Sequence, residues 1–423
     1  MYKLKKKFKN HTLSEDELSS DDEEQVSLNV VGKLYNNTYI ALKYIGKGTF
    51  SRVWLVYSVY DYEYYAMKIY SSIHISEANQ ECKILNIVGN HSHYLIKCFD
   101  YFISQDNKEI NTCYIFQLLG PDVLSLLLKY KDGLPISYVK KITKSALLGL
   151  KYLHEKEIIH TDLKIENILQ TEYSSEVKEY IQWFEKVNPK KILTSYLDIK
   201  IPKNCSKEVR KNLRRKEKHA SFKKLLRIVR NKFEESTFYL KPSGEEDTFK
   251  NNTFINNTCE NEFKICDFGS CTQKKKIAKD IQTRQYRSPE VIIRAGFTTS
   301  CDIWSLGCII YELITGYYLF DPEICKKHIN RDRKHIALIT EVLGDIPINL
   351  SKESKKKIFN KKGKLLKYRN RIEPKSFKKL LSVRKDLSEI NIALISDLLT
   401  QMLDYNWRER ISATECLKHP WLK

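Results

Sequence analysis

Four short polar motifs, in a fixed order, constrain what this chain can fold into more than any bulk property does. Gly46-Lys47-Gly48-Thr49-Phe50-Ser51-Arg52-Val53 comes first, followed by Ala66-Met67-Lys68. Ile159-His160-Thr161-Asp162-Leu163-Lys164-Ile165-Glu166-Asn167 stands mid-chain, and Lys264-Ile265-Cys266-Asp267-Phe268-Gly269 lies far beyond it. Alone, a glycine-rich turn reads as an ordinary hairpin, and a loop Asp or Asn is more often structural than catalytic. In this order the four define one site, whose parts the fold must gather from distant stretches of chain.

The residue types suit phosphate chemistry. Glycines at 46 and 48 let backbone approach phosphates and aim N–H groups at an anion. Lys68, on a strand, can reach the α- and β-phosphates of a nucleotide, and Glu81 on the next helix can pair with it. Asp162 is suited to take or orient the proton of an attacking hydroxyl. Lys164 is suited to neutralise charge on a γ-phosphoryl group. Asn167 and Asp267 offer hard oxygen donors of the kind Mg²⁺ prefers. ATP and Mg²⁺ are the expected cofactors.

The organisation follows from patterning. Residues 1–32 start basic and turn acidic between Glu15 and Glu24; a segment of that composition buries no core and is expected to be disordered. Residues 39–45, 51–57 and 64–70 are β-branched and aromatic runs, predicting three antiparallel strands, and 114–119 predicts another. Helical spacing over 76–88 places Ala78, Cys82, Ile84 and Leu85 on one face. After Gly120-Pro121 helical patterns dominate. The expected class is α+β: a strand-rich lobe at 33–119, a helical lobe at 120–169 and 263–423, and a basic insert at 170–262. Within the insert, residues 206–233 predict a basic helix around Phe222, Leu225, Leu226 and Val229, and the rest is expected to be loosely structured.

The net charge of +21 gathers in runs such as Lys207 to Lys218. Solvated lysine is the plainer reading, and contact with phosphate backbones the sharper one. Eleven cysteines without a CxxC pair indicate neither a zinc ribbon nor a disulfide framework. No apolar run approaches the about 20 residues a membrane-spanning helix needs, and no apolar stretch follows the basic start. An intracellular chain with reduced thiols is expected.

Over 33–169 and 263–423 these motifs resemble the eukaryotic protein kinases. The resemblance implies a bilobal protein kinase fold and transfer of the γ-phosphoryl group of ATP to a serine or threonine hydroxyl. It assigns nucleotide binding to Ile45, Gly46, Lys47, Gly48, Thr49, Phe50, Ser51, Val53, Ala66, Lys68 and Glu81, with Phe116 as gatekeeper and a hinge from Gln117 to Leu119. Asp162 and Lys164 become catalytic, and Asn167 and Asp267 the metal ligands. Ser288-Pro289-Glu290 matches the motif that closes the activation segment. Asp302 would brace the catalytic loop, and Arg410 would pair with Glu290.

Within the kinases, residues 280–288, 316–322 and 335–339, and the insert between the two metal-ligand motifs, are similar to the SR-protein kinases. That likeness implies protein substrates rich in Arg and Ser, splicing factors above all. The alternative is a LAMMER (Clk-type) kinase, which shares His-Thr-Asp and toward which Ser270 leans, although the LAMMER signature is absent. A different class of reading is a basic scaffold or RNA-associated protein on the same fold; intact Lys68, Asp162, Asn167 and Asp267 argue against it.

Thr161 stands where most kinases have an Arg, so no ion pair to a phosphorylated activation segment is available. A constitutively active, monomeric enzyme is expected, with Gln285 and Tyr286 holding that segment and with control by location in cytoplasm and nucleus. Tyr317 and Lys334 stand where the SR-protein kinases' docking groove calls for acids, and Glu341 matches one. The insert is expected to lie apart from the catalytic core and to be dispensable for activity. Cys266 reads as a small buried hydrophobe.

Overall fold

The computed structural model describes residues 30–423 apart from 49, 107–108, 199–200, 202–205, 240–261, 274–279, 323–330 and 367–374. The tail expected at 1–32 lies outside the described residues as far as residue 29. So does Thr49.

The aromatic and β-branched runs form β1 (Leu34–Tyr35), β2 (Tyr39–Lys47), β3 (Ser51–Ser58), β4 (Tyr64–Tyr70), β5 (Cys98–Asp106) and β6 (Glu109–Gln117). They make one sheet in the order β1-β2-β3-β4-β6-β5, every neighbour antiparallel. β5 was not expected. It is the sheet's edge strand, where Phe99, Tyr101 and Ile103 are exposed and Asp100 interrupts the apolar pattern. Helix α1 (Ile75–Val88) buries Ala78, Ile84, Leu85 and Val88, and ends at Gly89, whose φ of 61° suits glycine.

Beyond the hinge come α2 (Val123–Leu127) and α3 (Ile136–Glu155). Strand β7 (Ile168–Gln170) pairs with β8 (Phe263–Ile265), Ile168 opposite Ile265. This two-stranded ladder sets the loop carrying Asn167 beside the loop carrying Asp267, although the whole insert separates them in sequence. The site therefore rests on the large lobe's core, which includes the short α7 (Pro289–Ile292) and α8 (Ser300–Thr315), both buried along their whole length.

The insert departs from expectation. It supplies α4 (Ser175–Val187), α5 (Pro189–Thr194) and α6 (Lys207–Tyr239). Ser174 caps α4 by accepting from Val177 N; Asn188, left-handed at φ 56°, ends α4 and caps α5 by accepting from Lys191 N. Val177, Tyr180, Ile181 and Phe184 recur at helical spacing and turn toward the small lobe. Phe184 is fully buried and meets the Tyr57 ring edge-on at 5.2 Å. Tyr180 donates to Leu42 O at 2.9 Å, and Lys43 pairs with Glu176 at 2.8 Å. Leu225 and Val229 of α6 are fully buried, with Phe222 and Leu226 packed beside them, as the pattern predicted. The expectation that the insert lies apart from the core is thus corrected: its helices pack on the small lobe, because Tyr57 of β3 and Tyr64 of β4 present aromatic surface there that water would otherwise wet.

That packing gives a direct test. Phe184→Ala should lower stability by about 3–5 kcal/mol in urea unfolding, the range for emptying a buried aromatic site. Leu213→Ala, on an exposed part of α6, should change it by less than about 0.5 kcal/mol. Equal, small effects would show the insert to be a passenger.

Candidate active site

Lys68 sits on β4 opposite Val53 of β3 and Tyr114 of β6. Its Nζ reaches both Glu81 carboxylate oxygens at 3.0 Å and Asp267 Oδ1 at 2.9 Å. Burial alone would depress the ammonium's pKa, but Glu81 and Asp267 more than reverse this and hold it well above the usual value. Burial would raise Asp267, and Lys68 brings it below the usual carboxylate range. Glu81 also accepts from Tyr70 Oη at 2.7 Å and from Phe268 N at 3.2 Å. One carboxylate thus joins the sheet, α1 and the loop after β8.

The catalytic loop hangs from Asp302, which is fully buried on α8. Its carboxylate accepts from His160 N at 2.8 Å, Thr161 N at 3.0 Å and His154 Nε2 at 2.9 Å. Thr161 has φ 67°, a costly left-handed conformation for a β-branched residue. Its hydroxyl donates to Ser270 O at 2.8 Å. Asn167 Nδ2 donates to Asp162 O at 2.9 Å, which commits the amide nitrogen and fixes the side chain. Lys164 Nζ lies 3.7 Å from Asp162 Oδ2. Burial opposes its charge, while Asp162, Glu166 and Asp267 raise its pKa above the usual value.

Gln282 and Arg287, which sequence reasoning did not place in the site, hold the activation segment together with Thr283 and Tyr286. Gln282 is buried at φ 66°. Its N donates to Thr161 O at 2.8 Å, its Nε2 to Cys301 O and Ser305 Oγ, and its Oε1 accepts from Ser288 N and Oγ. Arg287 clasps its carbonyl from Nε and Nη2 at 3.1 and 2.8 Å. Thr283 donates from N and Oγ1 to Asp162 Oδ1 at 3.0 and 2.6 Å. Tyr286 donates to Glu312 at 2.6 Å, as a buried anchor. The glutamine that ties the segment down is Gln282, where Gln285 was expected. No side-chain pattern distinguishes the two, because the choice depends on which one occupies the left-handed turn.

The remaining nucleotide positions line one strip of the small lobe. Gly48 N donates to Ser51 O at 2.8 Å, closing the turn that carries Phe50 between β3 and the end of β2, where Ile45 and Lys47 stand. A Cβ on Gly46 would meet nothing within 4 Å, so the space above it is open to a ligand. Ala66 pairs with Phe116 across β4 and β6, both buried, as is Leu119. Gln117 Oε1 is buried with no hydrogen-bond partner, an unused acceptor at the hinge. No group of three His, Cys, Asp or Glu suited to a metal occurs among the described residues. Asp267 and Asn167 fit a divalent ion that takes its other ligands from phosphates and water.

Glu290 and Arg410 form the brace expected of them, Nη1–Oε1 2.9 Å and Nη2–Oε2 3.0 Å, both side chains wholly buried. Burial pushes the Cys266 thiol far up, consistent with the inert hydrophobe. His335 is buried with neither ring nitrogen hydrogen-bonded, and burial with nearby Arg284 lowers it to about 3, so it stays neutral. Arg410→Leu leaves Glu290 buried and unpaired, and should cost about 3–5 kcal/mol in urea unfolding. Adding Glu290→Met to that variant should recover part of the loss; a wild-type midpoint for Arg410→Leu alone would refute the brace.

The comparisons agree with this geometry. The protein kinase domain profile matches residues 39–181 and 246–422. The chain is 31% identical to the serine/threonine-protein kinase SRPK of Physarum polycephalum, over 93% of this chain and 87% of that one. It is 30% identical to the protein kinase dsk1 of Schizosaccharomyces pombe, over 92% and 81%. SRSF protein kinase 3 of Mus musculus is 28% identical, over 96% and 92%. A crystal structure of a kinase domain, 24% identical, superposes with a TM-score of 0.60 over 93% of this chain and 97% of that one, which shows the shared fold. The chain belongs to the protein kinase family, in its SR-protein kinase branch, and is a serine/threonine protein kinase that uses ATP and a divalent metal.

Proposed function

We propose that this kinase phosphorylates serines in Arg/Ser-rich protein segments, splicing factors above all, with Mg²⁺ as its metal. In this reading Asp162 orients the substrate hydroxyl and takes up its proton, while Thr283 fixes the carboxylate's aim. Lys68 holds phosphate oxygens and is itself held by Glu81. Lys164 balances charge developing on the transferred group. Asp267 and Asn167 would hold the metal, which when bound supplies positive charge beside the phosphates. The observation that carries the reading is this assembled set on a chain whose relatives include proteins named SRSF protein kinase 3 and serine/threonine-protein kinase SRPK.

Contacts through Gln282, Thr283 and Arg287 support constitutive activity, since no phosphate is needed to order what they already hold. A monomer at work in both cytoplasm and nucleus, controlled by location, completes the proposal.

Substrate docking differs from an acidic groove. Helix α9 (Arg331–Leu343) carries Asp332, but Arg284 at 2.7 Å and Lys356 both pair with it. Lys334 stands on the same helix and Tyr317 is uncharged. An Arg-rich peptide approaching here meets like charge, which at an interface costs several kcal/mol. The substrate is therefore held in the cleft itself, and weakly.

An assay with an Arg/Ser peptide beside a generic basic protein tests this. The peptide should be the better substrate by kcat/KM, with phosphate on serine and a high KM. Asp162→Asn should lower turnover by about 10²–10⁴-fold with unchanged unfolding. Equal use of the generic protein would sink the substrate assignment, and an active Asp162→Asn the chemistry.

A further inference from the structure

The small lobe's sheet has two edges, and they are finished differently. β1 is only two residues long, and a strand that short offers little to pair with. β5 at the other edge runs for nine, Cys98–Asp106, and carries neither Lys nor Pro, the residues that usually blunt such an edge.

Which backbone groups of β5 face outward follows from the ladder. Gln117 N donates to Lys97 O, so Gln117 turns toward β5. Residues along a strand turn alternately to its two neighbours, so Ile115, Cys113 and Asn111 turn the same way. Their partners Asp100, Phe102 and Ser104 are therefore bonded into the sheet. The N–H and C=O groups of Tyr101, Ile103 and Gln105 point outward, and among the described residues no hydrogen bond from beyond the sheet reaches them. Among those residues the chain covers this edge at Cys98 alone. There the Asn90 side chain accepts from Cys98 N at 3.0 Å and donates to Cys98 O at 2.7 Å, imitating one residue of a further strand.

The side chains beside the open groups are apolar. Tyr101 is 57% and Ile103 71% exposed, on the face they share with Ile110, which pairs opposite Gln105. Ile73, 84% exposed, stands on the turn Ser72–His74 that packs beside β6. On the opposite face the Asp100 carboxylate accepts from Tyr39 Oη at 3.3 Å, which leaves it lone pairs for a further donor.

We propose that β5 is the docking edge for an extended segment of a partner protein, in which alternate residues are apolar and a terminal one is basic. The segment adds a seventh strand to the sheet. Its apolar residues pair with Tyr101, Ile103 and Gln105 and lie over the exposed rings and branches there. Its basic residue stands opposite Asp100. The open backbone groups dictate an extended occupant, and Asp100 sets the sign of its charge. β6 separates β5 from the strand of Lys68, so the segment docks without entering the nucleotide site.

The test uses the full chain and one probe, the blocked peptide Arg-Val-Thr-Val-Thr-Val-Arg, read by fluorescence anisotropy. With the peptide bound, the amides of Tyr101, Ile103 and Gln105 should exchange at least about tenfold more slowly. Backbone N-methylation of the peptide's valines, which face β5, should weaken binding at least about tenfold, and methylation of its threonines should not. Ile103→Pro removes an outward N–H and leaves the ladder to β6 intact; it should cost the same in peptide affinity with kinase activity unchanged. Asp100→Lys should weaken this peptide at least about fivefold and favour the version with Glu in place of Arg. Absence of binding, equal affinity of the two methylated forms, or full affinity of Ile103→Pro would overturn the proposal. A second copy of the chain is the rival occupant: a dimer in sedimentation that Ile103→Pro dissociates would overturn it too.

Discussion

Everything catalytic in this chain is referred to one buried ion group, Lys68 with Glu81 and Asp267. The three come from β4, α1 and the loop after β8, so the contact exists only when sheet, helix and large lobe are in register. Glu81 is almost fully buried, and an isolated carboxylate there would be strongly disfavoured. Lys68 compensates it, and Tyr70 and Phe268 N supply further hydrogen bonds. The arrangement has a consequence for ligand binding: the lysine that would meet phosphates already holds a fixed position and a secure charge.

Around this group the backbone is strained where the chemistry happens. Thr161, Asp267 and Gln282 all have positive φ, at 67°, 66° and 66°. Such conformations persist only when surrounding contacts over-determine them. Asp302 holds Thr161, Glu81 holds the residue after Asp267, and Arg287 holds the carbonyl of Gln282. Gln282 N then closes on Thr161 O, which links the activation segment to the catalytic loop without any charged group. Thr161, whose hydroxyl bonds Ser270 O, does with neutral contacts what an arginine and a phosphate do in other kinases.

The motifs were legible in the sequence because phosphoryl transfer demands particular residue types: a lysine, two metal-binding oxygens, an aspartate near the hydroxyl. Their companions were less so. Gln282 matters through its backbone conformation and burial, which residue identity does not encode, and its neighbour Gln285 looked as suitable. Strand β5 escaped because an edge strand needs no apolar alternation on its outer side. The insert was misjudged for another reason. Its high charge drew attention to α6, while the spacing of Val177, Tyr180, Ile181 and Phe184 carried an ordinary helix signal. Phe184 among them covers the rings of Tyr57 on β3 and Tyr64 on β4, a tertiary fact that neither segment announces alone.

The central claim is an activation segment held in working order by contacts of the unmodified chain, needing no phosphate on that segment. Its most direct test is turnover of protein made in bacteria, treated with phosphatase and verified by mass to carry no phosphate. The account predicts kcat within about twofold of the untreated enzyme and inside the about 1–100 s⁻¹ usual for kinases. A fall of tenfold or more, reversed by phosphorylation of Ser270, Thr272, Thr283 or Ser288 by another kinase, would contradict it.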